Sequence, residues 1–160
     1  MTSFKEATRE ALEFLRSYSN VGTLATIDAE GRPHASPVYF VMGEEFDFFF
    51  LTTQGTHKAR NIRENEKVAF SVGTGPEYIC VMIQGKAVLT DTAEQNQILP
   101  IISESLEKSK AFNIPIRKLD DLKSQNLVLY KVVPEKVTFL NINSTQEPKS
   151  NADYLYHLLD

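Results

Sequence analysis

The 160-residue chain has one cysteine, no tryptophan and three histidines. A lone thiol, Cys80, builds neither an intrachain disulfide framework nor a multi-thiolate metal site, which points to a reducing, cytoplasmic setting. His34, His57 and His157 are far apart in sequence and none has a second histidine at i+4, so no metal site is expected. No segment approaches the ~18 consecutive apolar residues of a membrane span. The opening MTSFKEATREALEF lacks the basic start, apolar run and small-residue cleavage site of a secretory leader. Positive charge is in deficit as well: 17 lysines and arginines against 21 acidic residues give a net charge of -4 and a pI near 5.4. Neither nucleic acid nor a membrane is therefore expected as a partner.

What is present is an ordinary globular balance, 42% hydrophobic and 24% charged, in a length that fits a single domain over residues 1–160. Ser3 and Glu6 form a capping-box pattern ahead of Phe4, Ala7, Ala11, Leu12, Leu15 and Tyr18, which predicts an amphipathic helix over 3–18. A barrel region follows over 20–142. VGTLATID and HASPVYFVM read as strands joined by a turn at AEGRP, and FDFFFL as a third strand. Pro37 removes a ladder donor, so an interruption of the second strand is expected there, facing something other than a neighbouring strand. KVAFSV and YICVMIQGKAVLT supply a fourth and fifth strand, with Gly85 marking a bend or close backbone approach. A helical insertion over 93–126, capped by Thr92 with Gln95, should kink or split at Pro100. LVLYKVVP and KVTFLNI then read as a sixth and a seventh strand, and residues 143–160 as a polar tail ending in a short apolar turn. The expected class is mainly β with accessory helices, an antiparallel six- to seven-stranded barrel closed against exposed edges.

The stretch TTQGTHKARNIRENEKVAF concentrates His57, Lys58, Arg60, Arg63 and Lys67 in an acidic chain. Thr56 is a natural N-cap for a helix from His57 to about Asn65, which puts Lys58 in its first turn, where the helix dipole disfavours a cation unless an anion sits beside it. A capped N-terminus with free amides, a lysine and a bend at Gly55 suits a phosphate group. A solvated, charged helix end is the other reading, since P-loop spacing is absent.

The unit FFFLTTQGTHKARNIRENEKVAF resembles the strand-turn-helix-strand segment of the pyridoxamine 5'-phosphate oxidase-like family of FMN-binding split barrels. Phe50, Thr52, Gly55, Thr56, Lys58, Ile62 and Asn65 carry the match, and TLATIDAEGRPHASPVYFV and VMIQGKAVLTD flank it in the expected order, so that the likeness spans residues 20–95. The resemblance implies a homodimer of split barrels with FMN in clefts at the subunit interface. By position, Lys58 and His57 would hold the FMN phosphate, with Thr56 supporting them through the cap. Thr52 and Thr53 would line the ribityl and phosphate path, Ser36, Pro37, Val38 and Tyr39 would run beside the isoalloxazine ring, and Gln84 would reach the flavin from either subunit. The chain departs from true pyridoxamine-phosphate oxidases at Ser36, Val41 and Cys80, where those enzymes carry Arg, Lys and Gln, and it lacks their tryptophan. The resemblance therefore implies the FMN frame without that oxidase reaction.

In flavin enzymes the cofactor carries the redox chemistry, so no catalytic side chain is assigned. The expected activity is electron transfer from a reduced nicotinamide to an unknown small-molecule acceptor. The alternatives are a non-catalytic flavin-binding or stress-related protein and a haem-handling member of the group; relatives that bind F420 share the fold. Cys80 reads as a buried core thiol, and Glu44–Glu45 and Asp120–Asp121 as solvated charge.

Overall fold

The computed structural model describes residues 4–17, 20–73, 78–109, 119–142 and 155–159. The first helix, α1 (Phe4–Ser17), places Ala7, Ala11 and Leu15 at four-residue spacing on one buried face. Its expected capping residue, Ser3, lies outside the described residues. β1 (Val21–Ile27) and β2 (Pro33–Met42) form the hairpin, and Asp28 organises its turn. Asp28 Oδ1 accepts from the backbone N–H groups of Glu30 at 3.0 Å and Arg32 at 2.9 Å, and Gly31 takes the left-handed φ of 80° that the turn requires. β3 (Phe48–Thr53) begins two residues later than the run FDFFFL suggests, because Asp47 closes the preceding turn through Gly43 and Glu44. The short helix α2 (His57–Glu64) leads into β4 (Lys67–Gly73) and the long β5 (Ile79–Leu89).

α3 (Thr92–Ser109) departs from expectation in two ways. Its cap is Asp91, whose Oδ1 accepts from Glu94 N–H at 2.8 Å while Glu94 Oε2 accepts from Asp91 N–H at 3.3 Å, a reciprocal capping box one residue ahead of the Thr92/Gln95 pattern. It also continues as one helix through Pro100, which is exposed, as is Asn96, the residue whose carbonyl loses its helical partner. α4 (Leu119–Ser124) follows, with residues 110–118 outside the described part.

The two strands expected near the end are a single one, β6 (Leu127–Asn141). Pro134 lies within it without breaking it, because β3 pairs with β6 only as far as Val132 and the last strand, β7 (Leu155–Leu159), only from Val137, so at Pro134 that edge has no partner to serve. The apolar end of the tail is thus a strand laid on the barrel.

All pairings are antiparallel, in the order β3-β2-β1-β4-β5-β6-β7, and the additional β3–β6 pairing closes the first six strands into a barrel. The register of β5 against β6 shifts at Gln84/Gly85, where a Cβ on Gly85 would strike the Val133 carbonyl oxygen. Pro37 does not interrupt β2: the ladder to β1 passes through Thr23↔Pro37, but β3 joins the other edge only from Phe40 onward, leaving that edge free beside Pro37.

Phe40, Phe48, Phe50, Phe70 and Phe139 fill the barrel, with Phe48 and Phe70 stacked at 4.1 Å. Burying each such ring is worth roughly 1.5–3 kcal/mol. A second apolar cluster lies outside it, where Val41, Phe49 and Leu129 meet Ile98, Leu99, Ile102 and Leu106 of α3 and Leu122 of α4. Alternation along β2 and β3 thus serves two cores at once. Among the described residues no helix is long and apolar enough to cross a membrane.

Candidate functional site

The site is organised by the passage from β3 into α2. Thr56 has extended backbone angles and its Oγ1 accepts from Ala59 N–H at 3.4 Å, as an N-cap does. The Thr56 hydroxyl donates to the Thr53 carbonyl at 2.9 Å, and a hydroxyl has one hydrogen, so the 3.0 Å contact between Thr52 Oγ1 and Thr56 Oγ1 must be donated by Thr52. The end of β3 is thereby tied to the start of α2. Asn61 adds a second tie from the buried face of α2: its Nδ2 donates to Thr26 Oγ1 at 3.0 Å, and the Thr26 hydroxyl donates to the His34 carbonyl at 3.4 Å. A buried amide satisfied in this way fixes the rotation of α2 against β1 and β2.

Next to this junction is a cleft of about 300 Å³. Thr52, Thr53, Thr56 and Lys58 make one polar portion of its lining, and Val41, Phe49, Leu51, Ile102, Leu106 and Leu127 its apolar walls, with Pro37, Val38, Tyr39 and Phe40 along β2. Tyr39 Oη and Ser105 Oγ, 2.6 Å apart, link the β2 wall to α3. A second link comes from Lys131, which pairs with Asp47 at 3.0 Å and with Glu94 of α3 at 3.2 Å. The hydrogen bond to Asp47, seconded by that to Glu94, holds the lysine's pKa above its ordinary value against a partial desolvation.

Pro37, Val38, Tyr39, Thr52, Thr53, Thr56 and Lys58, all named from sequence as cofactor-binding candidates, line this one cleft. Ser36, His57 and Gln84 do not. Ser36 Oγ is buried with no hydrogen-bond partner among the described residues. Gln84 is exposed on β5, beside the bulge. His57 is exposed and its Nδ1 lies 3.0 Å from Arg60 Nη2. A guanidinium only donates, so that nitrogen accepts in this contact. Lys58, which lines the cleft while His57 does not, is the cation offered to it. Arg63 donates to the Gln54 carbonyl at 3.2 Å and stands outside the cleft. Cys80 is buried beside Ser71, Sγ to Oγ 3.3 Å.

The donor set fits a flavin mononucleotide. Lys58, the first-turn amides of α2 and the Thr53 hydroxyl suit a phosphate, with the Thr52–Thr56 pair shaping the turn behind them, and the edge of β2 beside Pro37 is left unpaired by β3. Sequence reasoning did not reach Ile102, Leu106 and Leu127, because nothing local says that α3 folds back over β2. It also treated the histidines as remote, whereas the rings of His34 and His57 stack at 5.5 Å.

The family model described as pyridoxamine 5'-phosphate oxidase matches residues 5–141. The chain belongs to the pyridoxamine 5'-phosphate oxidase family. Within reach of this family, a 5a,11a-dehydrotetracycline/5a,11a-dehydrooxytetracycline reductase from Streptomyces rimosus is 36% identical over 72 residues, 43% of this chain and 50% of that protein. A pyridoxine/pyridoxamine 5'-phosphate oxidase from Crocosphaera subtropica is 35% identical over 91 residues, 57% of this chain and 42% of that protein. The chain thus spans half or less of the length of these curated relatives. A Listeria innocua structure bearing the family's oxidase name superposes with a TM-score of 0.65 at 23% identity, covering 85% of this chain and 99% of that one. The haem storage protein HutZ of Vibrio cholerae superposes at 0.64 with 21% identity, over 81% and 92%. At these identities the superpositions establish the split-barrel fold of the family and nothing finer.

Proposed function

We infer that this member of the family is an FMN-binding oxidoreductase. The observation that carries the reading is the convergence of Lys58 and Thr52, Thr53 and Thr56 with the Pro37–Tyr39 strand segment on a single cleft of about 300 Å³. Lys58 and the capped start of α2 bind the phosphate, and the free edge of β2 at Pro37 takes the ring. FMN would supply the redox chemistry; the chain's part is to bind, orient and shield it. A reduced nicotinamide is the electron donor in this reading, and a small apolar acceptor suits the walls formed by Phe49, Leu51, Ile102 and Leu106.

The reading includes a homodimer with FMN at the subunit interface. The outer sheet face supports it, since the register aligns Pro37, Thr23, Ser71 and Met82 in one row and Ala35, Ala25, Ala69 and Gln84 in the next, all uncharged and continuous with the cleft at Pro37. A second copy on this face would bring Gln84 towards its neighbour's cleft.

The test is an absorbance spectrum of freshly purified protein before and after adding FMN, followed by release and mass identification of any bound cofactor. Flavin bands are expected; a colourless protein that acquires none on adding FMN overturns the reading. FMN-dependent oxidation of a reduced nicotinamide separates an oxidoreductase from a flavin store. Haem binding is the second reading, favoured by the paired rings of His34 and His57 and by likeness to a haem storage protein. A Soret shift on haemin titration, without flavin bands, would select it.

A further inference from the structure

α3 is continuous in path but divided in its bonding at the exposed Pro100. A proline has no N–H to give the Asn96 carbonyl, so a helix bends there at lower cost than elsewhere. The bonds that still cross the division run from the N–H groups of Ile101, Ile102 and Ser103 to the carbonyls of Gln97, Ile98 and Leu99.

The two halves are held in different ways. The first is fastened at its start: the Asp91–Glu94 capping box closes it, Gln95 Nε2 donates to the Thr90 carbonyl at 3.1 Å, and the Thr90 hydroxyl donates to the Leu129 carbonyl of β6 at 3.0 Å. Glu94 adds its ion pair with Lys131 of β6, and Ile98 and Leu99 are buried in the outer apolar cluster. The second half meets β2 through the bond between Ser105 and Tyr39, whereas its Glu104–Lys108 pair stays within the helix. Among the described residues the first half gives none to the cleft, and the second gives Ile102 and Leu106. Those two side chains belong to the outer cluster but also border open space, and a side chain without atoms on one side loses those contacts.

We propose that the half of α3 from Ile101 to Ser109 is a lid that swings about Pro100, with the Tyr39–Ser105 bond as its latch. Opening parts Ile102 and Leu106 from the Leu51 and Leu127 walls and admits a ligand; closing shields a bound ring from water. The latch is one neutral hydrogen bond, worth about fivefold in the balance of closed and open forms. The lid rests on the FMN reading for the identity of what enters, and on α3 alone for the motion.

The experiment joins residue-resolved amide exchange on the flavin-free protein with stopped-flow fluorescence of FMN binding and release, for wild type, Pro100→Ala and Ser105→Ala. In wild type, protection is expected to fall about tenfold or more in one step from residues 97–99 to residues 101–103, and no further through 104–106. Fraying from the helix end would instead lower it steadily towards Ser109. Pro100→Ala returns the missing N–H; it is expected to remove the step and to slow FMN association and release alike, leaving Kd unchanged. Ser105→Ala releases the latch and is expected to speed both rates about fivefold. A smooth gradient in wild type, rates that neither variant moves, or a change in Kd carried by one rate alone overturns the lid while leaving the FMN reading intact. If wild type binds no FMN, that reading fails and the presence or absence of the step still decides the lid. The step is read on wild type, so a variant that fails to fold does not shield the proposal.

Discussion

Tyr39 on β2 and Ser105 on α3, 66 positions apart in the chain, share a hydrogen bond of 2.6 Å. The bond places the α3 wall over the strand that borders the cleft, beside Ile102 and Leu106. Tyr39→Phe keeps the ring and removes the hydroxyl. It should cost about 1 kcal/mol in denaturant unfolding and speed amide exchange across Ile98–Leu106 more than in the barrel strands. Equal protection of α3 in the two proteins would show that the apolar cluster alone holds the helix.

Lys58 lines the cleft and Arg63 does not. Lys58→Ala is expected to weaken FMN binding tenfold or more, about the worth of a charge-assisted hydrogen bond to phosphate, whereas Arg63→Ala should alter it little. Equilibrium dialysis with FMN checks both. Comparable losses would mean that the effect is one of general surface charge.

Thr56→Ala removes the cap of α2 together with its links to Thr52 and Thr53. A loss of about 1 kcal/mol is expected from thermal or chemical unfolding, largely restored by Thr56→Ser, which keeps the hydroxyl.

Lys131 joins Asp47 and Glu94 on the outside of the barrel, and the hydrogen bond to Asp47 leads in raising its pKa above that of an ordinary lysine. A group whose folded pKa is raised stabilises the fold fully below its unfolded pKa and loses that contribution as pH rises through the folded value. Lys131→Met should therefore be less stable than wild type at neutral pH, and the gap between them should close as pH rises past about 10.5. Unfolding titrations across the alkaline range test this; a gap constant with pH would assign the effect to packing over Phe49 instead.

Gly85→Ala places a methyl group against the Val133 carbonyl oxygen at the β5–β6 bulge. Backbone cannot yield as a flexible side chain does, so a destabilisation of about 1–3 kcal/mol is expected, read as a lowered Tm. An unchanged Tm would mean that the bulge relaxes freely.

The strands, the first helix and the capped start of α2 were legible in the sequence because their signals are local. Alternation in VGTLATI and KVAFSVG, four-residue spacing of Ala7, Ala11 and Leu15, and a threonine before HKARNIRE each act within a few residues. The same local reading cut β6 in two at Pro134, since a proline's cost depends on whether a neighbouring strand needs its N–H, and only the arrangement of β3 and β7 along that edge answers this. It also put the α3 cap at Thr92, because Asp91 and Thr92 are both good caps in isolation and the side-chain geometry chooses between them. The polar portion of the cleft follows from the chain around Thr52–Lys58, which is contiguous. Its apolar walls, the link from Tyr39 to Ser105 and the meeting of His34 with His57 join residues far apart in sequence, and such contacts form only when barrel closure and helix docking bring their elements together.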